Sequence, residues 1–286
     1  MAERILISIH GVETDGAWQD KIDPSFEGID GFAYRKYKYG KFPFYEAVSS
    51  KAREEEIQQF SQFYDSLRAL EPKSISIIAH SFGTYLVGAC LSRFPVYEFD
   101  TVILCGSILA QDYDWPGLFQ PGRIKRLLNE TAGDDWVVNK FRNGFLRNQI
   151  PHSGPSGVDG FLNKPAGMIE RHFAEFKHSD AFVLREHCNR FWRPFIFNNE
   201  EFAALSWRVV EGDDEATVLF RERYGPMVRD LFKKVFPEKS DDAVAERAET
   251  ILDAMAPEGA HGIYSPKDLA WNIVGELWKA KQRAEK

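Results

Sequence analysis

The residue most suggestive of catalysis is a serine that lies between a strand-like run and a helix-like run. Residues 74–79 form a mostly apolar stretch, Ser81 and Gly83 follow, and a helix rich in small residues is predicted over Phe82–Arg93. A strand that enters a small-x-Ser-x-Gly turn and leaves as a helix is typical of a nucleophile elbow, whose strained turn lifts the hydroxyl above the sheet. The plainer alternative is a turn in which Ser81 only caps the helix. The context on both sides favours Ser81 as a nucleophile.

A serine nucleophile needs a histidine that takes its proton and a carboxylate that orients that histidine. Asp135 directly follows a strand candidate at residues 124–129, so it is the predicted carboxylate. Its neighbour Asp134 is an alternative, in which case Asp135 would cap the next helix. Asp112 and Asp114, which follow the preceding strand, are a further alternative.

Among the seven histidines, His178 is best placed to act as the base. It comes two residues after the last strand candidate, residues 169–176, and it follows both the nucleophile and the acid along the chain. Five others are predicted to be structural or solvent-exposed: His80, His152, His172, His187 and His261.

Three segments, in this order along the chain, resemble bacterial α/β-hydrolases of the lipase/esterase type: His10-Gly11, Asp15-Gly16-Ala17-Trp18 and Ala79-His80-Ser81-Phe82-Gly83-Thr84. The resemblance covers about residues 5–197, and it departs from the common pattern at Ala79, where glycine is usual. It implies an α/β-hydrolase fold and a serine esterase without a metal or organic cofactor. It also implies an oxyanion hole made by two backbone N–H groups. Phe82 is the predicted first donor, and Val12 the second, with Glu13 as the alternative.

The implied reaction is cleavage of a carboxylic ester, which could also be a lipid ester or a thioester, through an acyl-enzyme. Two loops rich in Gly, Pro and aromatic residues, 107–122 and 141–167, follow predicted strands and are expected at the binding crevice. Their aromatic side chains either line an acyl pocket or pin the loops to the core: Trp115, Phe119, Phe141, Phe145 and Phe161.

The elements that position these residues alternate between strand and helix. Buried β-type runs predict strands at 5–10, 33–39, 74–79, 100–105, 124–129 and 169–176. Helices are predicted at 51–70, 82–93 and 186–197. Strands separated by helices predict a mostly parallel sheet flanked by helices.

After Phe197 the strand pattern stops, so the chain is divided into a hydrolase domain at 1–197 and a helical C-terminal region at 198–286. That region has two apolar stripes, one from Val244 to Met255 and one from Leu269 to Trp278. Stripes of this kind must be buried. They are expected to pack on the hydrolase domain, on another copy of the chain or on a protein partner, or to form a self-contained cap. The resemblance also permits a second reading of the function, a regulated effector or interaction protein of a larger bacterial assembly that uses residues 198–286 to bind its partner.

Composition limits the remaining classes. The formal net charge of −7 does not favour nucleic acid as a partner. No apolar run approaches the roughly 20 residues of a membrane span, and no secretory signal is present. The three cysteines are widely spaced and odd in number, as expected for reduced thiols in a cytoplasmic protein.

Overall fold

A computed structural model of the chain describes residues 3–27, 29, 31–142, 144–182, 187–197, 209 and 213–255. The chain divides into two compact units, residues 1–184 and residues 185–286. Each unit is described by itself below.

The first unit is built on a six-stranded sheet in which every strand runs parallel to its neighbours. Its strands are β1 (Arg4–Ile9), β2 (Phe32–Tyr37), β3 (Ser74–His80), β4 (Phe99–Cys105), β5 (Ile124–Ala132) and β6 (Met168–Phe173). The spatial order is β2-β1-β3-β4-β5-β6. The order reverses between β1 and β3, and the crevice of such a sheet lies at the carboxyl ends of the strands beside the reversal.

Almost every residue of β1, β3 and β4 is buried. Strands read as continuous apolar runs when both faces of a parallel sheet are covered. Helices provide this cover and connect the strands: α1 (Ala17–Ile22), α2 (Phe44–Val48), α3 (Ser50–Arg68), α4 (Phe82–Arg93), α5 (Trp115–Phe119), α6 (Trp136–Asn139), α7 (Gly144–Gln149) and α8 (Ser156–Asp159). The predicted parallel sheet flanked by helices is confirmed.

Two strand ends differ from the prediction. β5 continues through Glu130 and Thr131 to Ala132, because these polar side chains are buried although their types suggest a loop. β6 ends at Phe173 and not at residue 176, because the amide of Phe176 donates to the carbonyl of Phe173 at 3.2 Å and turns the chain.

The second unit is helical where the structure describes it. A π-helical turn at Cys188–Trp192 continues into α9 (Arg193–Ile196), and two longer helices follow, α10 (Asp214–Val235) and α11 (Asp241–Met255). The sequence predicts the helix at 186–197 as the last element of the hydrolase domain, since the strand pattern stops after Phe197. It groups with the second unit, which begins at residue 185.

α10 and α11 pack against each other through one apolar cluster that includes Phe220, Val228, Ile251 and Leu252. The first predicted stripe, at 244–255, lies on α11, and Val244, Ala248, Ile251 and Leu252 of it are buried in this cluster. The second stripe, at 269–278, lies outside the described residues. Within the ranges that the structure describes, no helix is long and apolar enough to cross a membrane.

Candidate active site

The backbone of Ser81 is strained at the turn between β3 and α4. Its backbone angles are φ 53° and ψ −121°, a conformation that side chains other than glycine rarely adopt. The surrounding hydrogen bonds hold it there. The Ser81 amide donates to the carbonyl of Cys105 at 3.1 Å, and the amide and hydroxyl of Thr84 donate to the Ser81 carbonyl at 2.9 and 2.6 Å.

Two glycines permit the close packing around this turn. A Cβ atom at Gly83 would lie 2.7 Å from the carbonyl oxygen of His10 and 2.9 Å from that of Ile9, so α4 meets the end of β1 backbone to backbone. A Cβ atom at Gly11 would lie 2.6 Å from the Cβ of Ser81. The loop after β1 therefore lies directly against the serine.

His178 connects the serine to a carboxylate. Its Nε2 lies 2.9 Å from the Oγ of Ser81, and its Nδ1 lies 2.8 Å from an Oδ of Asp135. Gly106, at φ 54°, contributes to this arrangement, since a Cβ there would lie 3.0 Å from the His178 ring. The structure thus brings together the three residues that the sequence singled out.

Asp135 is fully buried and uses both carboxylate oxygens. One accepts from His178, and the other accepts from the amides of Val137 and Val138 at 3.0 and 2.9 Å, which caps α6. The sequence analysis left open whether Asp135 contacts His178 or only caps the next helix. In the structure Asp135 makes both contacts. The neighbouring Asp134 is exposed.

The two earlier aspartates have other surroundings. Asp114 caps α5 by accepting from the amide of Gly117 at 3.0 Å. Asp112 lines a separate cavity that does not include Ser81 or His178.

Two buried histidines support the site. The Nε2 of His80 lies 2.9 Å from the main-chain carbonyl of His178, and the two rings are 4.6 Å apart. Burial, and secondarily the neighbouring His178, lower the pKa of His80 well below its ordinary value. His10 lies in the loop after β1, where its ring stacks on Tyr39 at 4.0 Å, and burial lowers its pKa as well. Both rings are therefore neutral groups that hold neighbouring backbone.

The backbone amides near Ser81 differ in their availability. The amide of Glu13 donates to the carbonyl of Phe42 at 2.8 Å, so this alternative donor is occupied. The amide of Val12 makes no hydrogen bond to any residue that the structure describes. Phe82 is the first residue of α4, where an amide has no acceptor within its helix.

A cavity of about 820 Å³ opens beside Ser81, His80 and His178. Its apolar and aromatic lining comes from the segments after β1, β2, β5 and β6: Val12, Trp18, Phe44, Trp136, Phe141 and Phe182. Of the five predicted pocket aromatics, Phe141 lines this cavity, and the side chain of Phe145 lies outside the described part.

The other predicted pocket aromatics belong to the core. Trp115 and Phe161 are buried and meet edge to face with ring centroids 5.5 Å apart, and Phe119 packs on the same core. Both loops have apolar partners beneath them, so these rings pin the loops down. The prediction missed Trp18 and Trp136, although Trp18 is part of a quoted segment and Trp136 directly follows Asp135.

The site lies at the carboxyl ends of β1 and β3, where the strand order of the parallel sheet reverses. Its strained serine lies between β3 and α4, and the acid and histidine come after later strands, in the order Ser, Asp, His. The chain has the α/β-hydrolase fold. Within the described ranges, this α/β-hydrolase fold contains no group of three or more His, Cys, Asp or Glu side chains placed to hold a metal.

No protein family and no curated protein matches the sequence. Among solved structures, the chain is similar to a predicted CIB-like hydrolase from Thermoplasma acidophilum, with 16% sequence identity and a TM-score of 0.39. The likeness covers 64% of this chain and 81% of that one.

Proposed function

We propose that this chain is a serine hydrolase that cleaves a carboxylic ester through an acyl-enzyme, with Ser81, His178 and Asp135 as its triad. The observation that carries the proposal is the unbroken hydrogen-bond chain from Ser81 Oγ through the His178 ring to Asp135. The first residue of this hydrogen-bond chain, Ser81, lies in a strained turn and lines a cavity of about 820 Å³.

In the first half-reaction, His178 Nε2 accepts the proton of the Ser81 hydroxyl while Oγ attacks the ester carbonyl carbon. Asp135 accepts the Nδ1–H of His178, which fixes the tautomer that leaves Nε2 free to act as the base. It also stabilises the imidazolium that forms. The imidazolium then gives its proton to the leaving alkoxide, so an alcohol departs and Ser81 retains the acyl group.

The tetrahedral intermediates place a negative charge on the former carbonyl oxygen. The amides of Phe82 and Val12 are the proposed donors to this oxygen. Phe82 begins α4, whose N-terminal end favours negative charge. Val12 follows Gly11, which lies against Ser81. Two backbone donors that the fold already holds in place require no reorganisation as the charge develops.

In the second half-reaction, His178 takes a proton from water, and the resulting hydroxide attacks the acyl carbon. Collapse of the intermediate returns the proton to Ser81 and releases the carboxylic acid. The aromatic walls of the cavity support an apolar portion in the substrate.

Covalent labelling tests the proposal. The wild-type chain is expected to react with a fluorophosphonate probe and to hydrolyse p-nitrophenyl esters over some range of acyl-chain lengths. Ser81→Ala is expected to lose the label and at least about three orders of magnitude in turnover, because triad members act as a unit. Ser66→Ala, at an exposed serine of α3, is the matched control. Labelling that persists in Ser81→Ala would remove this serine from the mechanism.

A further inference from the structure

Two lysines line the cavity beside Ser81, one on each side of the elbow. Lys21 lies on α1, three residues after the cavity residue Trp18. Lys140 directly follows α6 and lies four residues after Trp136, which also lines the cavity. Residues three and four apart share a helix face. The two ammonium groups thus come from the loops after β1 and β5, which lie on opposite sides of β3 in the sheet.

Neither lysine is neutralised by a partner within the described ranges. Lys21 has no ion pair there, whereas its neighbour Asp20 is already bound by Lys36 at 2.9 Å and Lys38 at 2.8 Å. The Nζ of Lys140 lies over the ring of Trp136, 4.1 Å from the ring centroid. An indole in this position orients an ammonium group without cancelling its charge.

The cavity is cationic although the chain is acidic. The whole chain has a formal net charge of −7, while the cavity lining contains two lysines and one acid, Glu13. The backbone amide of Phe44 donates to the carboxylate of Glu13 at 2.9 Å, which fixes this carboxylate on the loop without cancelling its charge, so the lining has one positive charge in excess. The lining around Ser81 therefore combines apolar aromatic walls with two ammonium groups at exposed positions.

From this combination we infer that the substrate is an anionic amphiphile: an ester with an apolar portion and a carboxylate or phosphate group that Lys21 and Lys140 bind. The inference rests on the proposed ester hydrolysis and adds the charge class of the ester. Aromatic walls bind the apolar portion, and the lysines select against an uncharged ester of the same length.

Matched pairs of chromogenic esters test this charge selectivity. The first pair is the p-nitrophenyl half-ester of a dicarboxylic acid and the same compound with its free carboxylate methylated, which places the charge on the acyl side. The second pair uses a phenol leaving group that has either a carboxylate or a carboxamide. The quantity measured is the ratio of kcat/KM for the anionic ester to kcat/KM for the neutral one, at low and high ionic strength.

The wild-type chain is expected to favour the anionic member of at least one pair, less strongly at high salt because screening weakens exposed charge interactions. Exposed ion pairs are weak, so Lys21→Met and Lys140→Met should each lower the ratio only about threefold, and the double variant about tenfold. Replacement of both lysines by arginine should retain the preference. Lys51→Met combined with Lys73→Met removes the same charge at two exposed lysines outside this cavity and should leave the ratio unchanged.

A wild-type preference for the neutral ester in both pairs would overturn the inference, as would a preference for the anionic ester that survives the double methionine variant. Failure of the proposed function looks different, because then Ser81 takes no fluorophosphonate label and no ester of either charge is cleaved. Hydrolysis of both charge classes at equal rates would leave the esterase proposal intact and would contradict the inference alone.

Discussion

Asp135 divides its two carboxylate oxygens between two tasks. One oxygen accepts from the ring of His178, and the other accepts from the two amides that begin α6. A carboxylate that is fully buried needs such partners on both oxygens, because an unpaired buried charge is costly. The residue that orients the histidine is therefore also the residue that starts the next helix.

Two substitutions separate these tasks. Asparagine caps a helix about as well as aspartate, but it does not stabilise the imidazolium. Asp135→Asn is therefore expected to lower kcat about 10⁴-fold, the loss seen when a triad aspartate is replaced in this way, with little change in unfolding free energy. Asp135→Ala should lose the same activity and an additional 0.5–2 kcal/mol or so of stability, because the cap is lost as well. Ester hydrolysis and urea unfolding measure the two effects. An Asp135→Asn variant with full activity would remove this carboxylate from the mechanism.

The buried histidines His10 and His80 predict how stability depends on pH. Burial lowers the pKa of both in the folded chain. The unfolded chain gains a proton at each ring as the pH falls through about 6.5, while the folded chain excludes it. Stability rises with pH wherever the unfolded state binds more protons, so the unfolding free energy should fall on acidification below about 6.5.

Urea unfolding between pH 5 and pH 8 checks this dependence. His80→Phe is expected to reduce the slope by up to about 1.4 kcal/mol per pH unit, the value for one proton. His172→Gln, at an exposed position on β6, is the control. An unchanged slope in His80→Phe would show that His80 does not titrate differently in the folded and unfolded chains.

At the scale of elements, the elbow depends on how closely α4 approaches β1. The carbonyls of Ile9 and His10 lie where a side chain at Gly83 would begin. These are backbone atoms, which cannot move aside as the end of a flexible side chain can. The strand and helix therefore tolerate only glycine at this contact.

Gly83→Ala is consequently expected to destabilise the first unit by about 1–3 kcal/mol, the usual cost of overpacking a tight contact. Gly88→Ala, in the same helix, is the matched comparison, because its new Cβ would meet the side-chain end of Leu109. That neighbour can rotate, and alanine also has a higher helix propensity than glycine by about 1 kcal/mol. Equal losses for both variants in urea unfolding would contradict the argument from backbone contact.

The strands of this chain could be predicted from its sequence, but the surroundings of its loop side chains could not. The strands were predictable because their buried runs have a recognisable pattern, and the order of Ser81, Asp135 and His178 placed each after a strand. The lining of the cavity could not be predicted, because an aromatic residue in a loop packs equally well on a core or in a pocket. Trp115 does the first and Trp136 the second, and only the tertiary structure separates them.

At the scale of the whole molecule, the described residues include two large apolar clusters. The larger one covers the parallel sheet, and the smaller one lies between α10 and α11. The two clusters have no residue in common. Each core contributes its own stabilisation, so the two units are expected to unfold in two distinct steps.

Calorimetry of paired variants tests this separation. Leu127→Ala removes a buried side chain from the larger core, and Leu231→Ala removes the same side chain from the smaller one. Each is expected to cost about 2–5 kcal/mol and to lower the midpoint of a different transition. A single transition that both substitutions shift equally would show instead that the chain unfolds as one cooperative unit.

The short helix α6 has a consequence for how this chain could acquire new substrates. It is four residues long, begins at the carboxylate that holds His178, and contributes Trp136 and Val137 to the cavity wall. Changes on this side alter fit and turnover together, since any shift of α6 also shifts the amides that hold Asp135. Trp18 is also coupled to this side, because it packs on Phe182 at 4.3 Å and lies against His80, which holds the backbone of His178. Phe44, which lines the cavity from α2, makes no hydrogen bond or ring contact through its side chain with His80, His178 or Asp135 among the described residues. Substrate range in descendants of this chain should therefore diversify first at Phe44, where a poor substitution alters fit without disturbing His178.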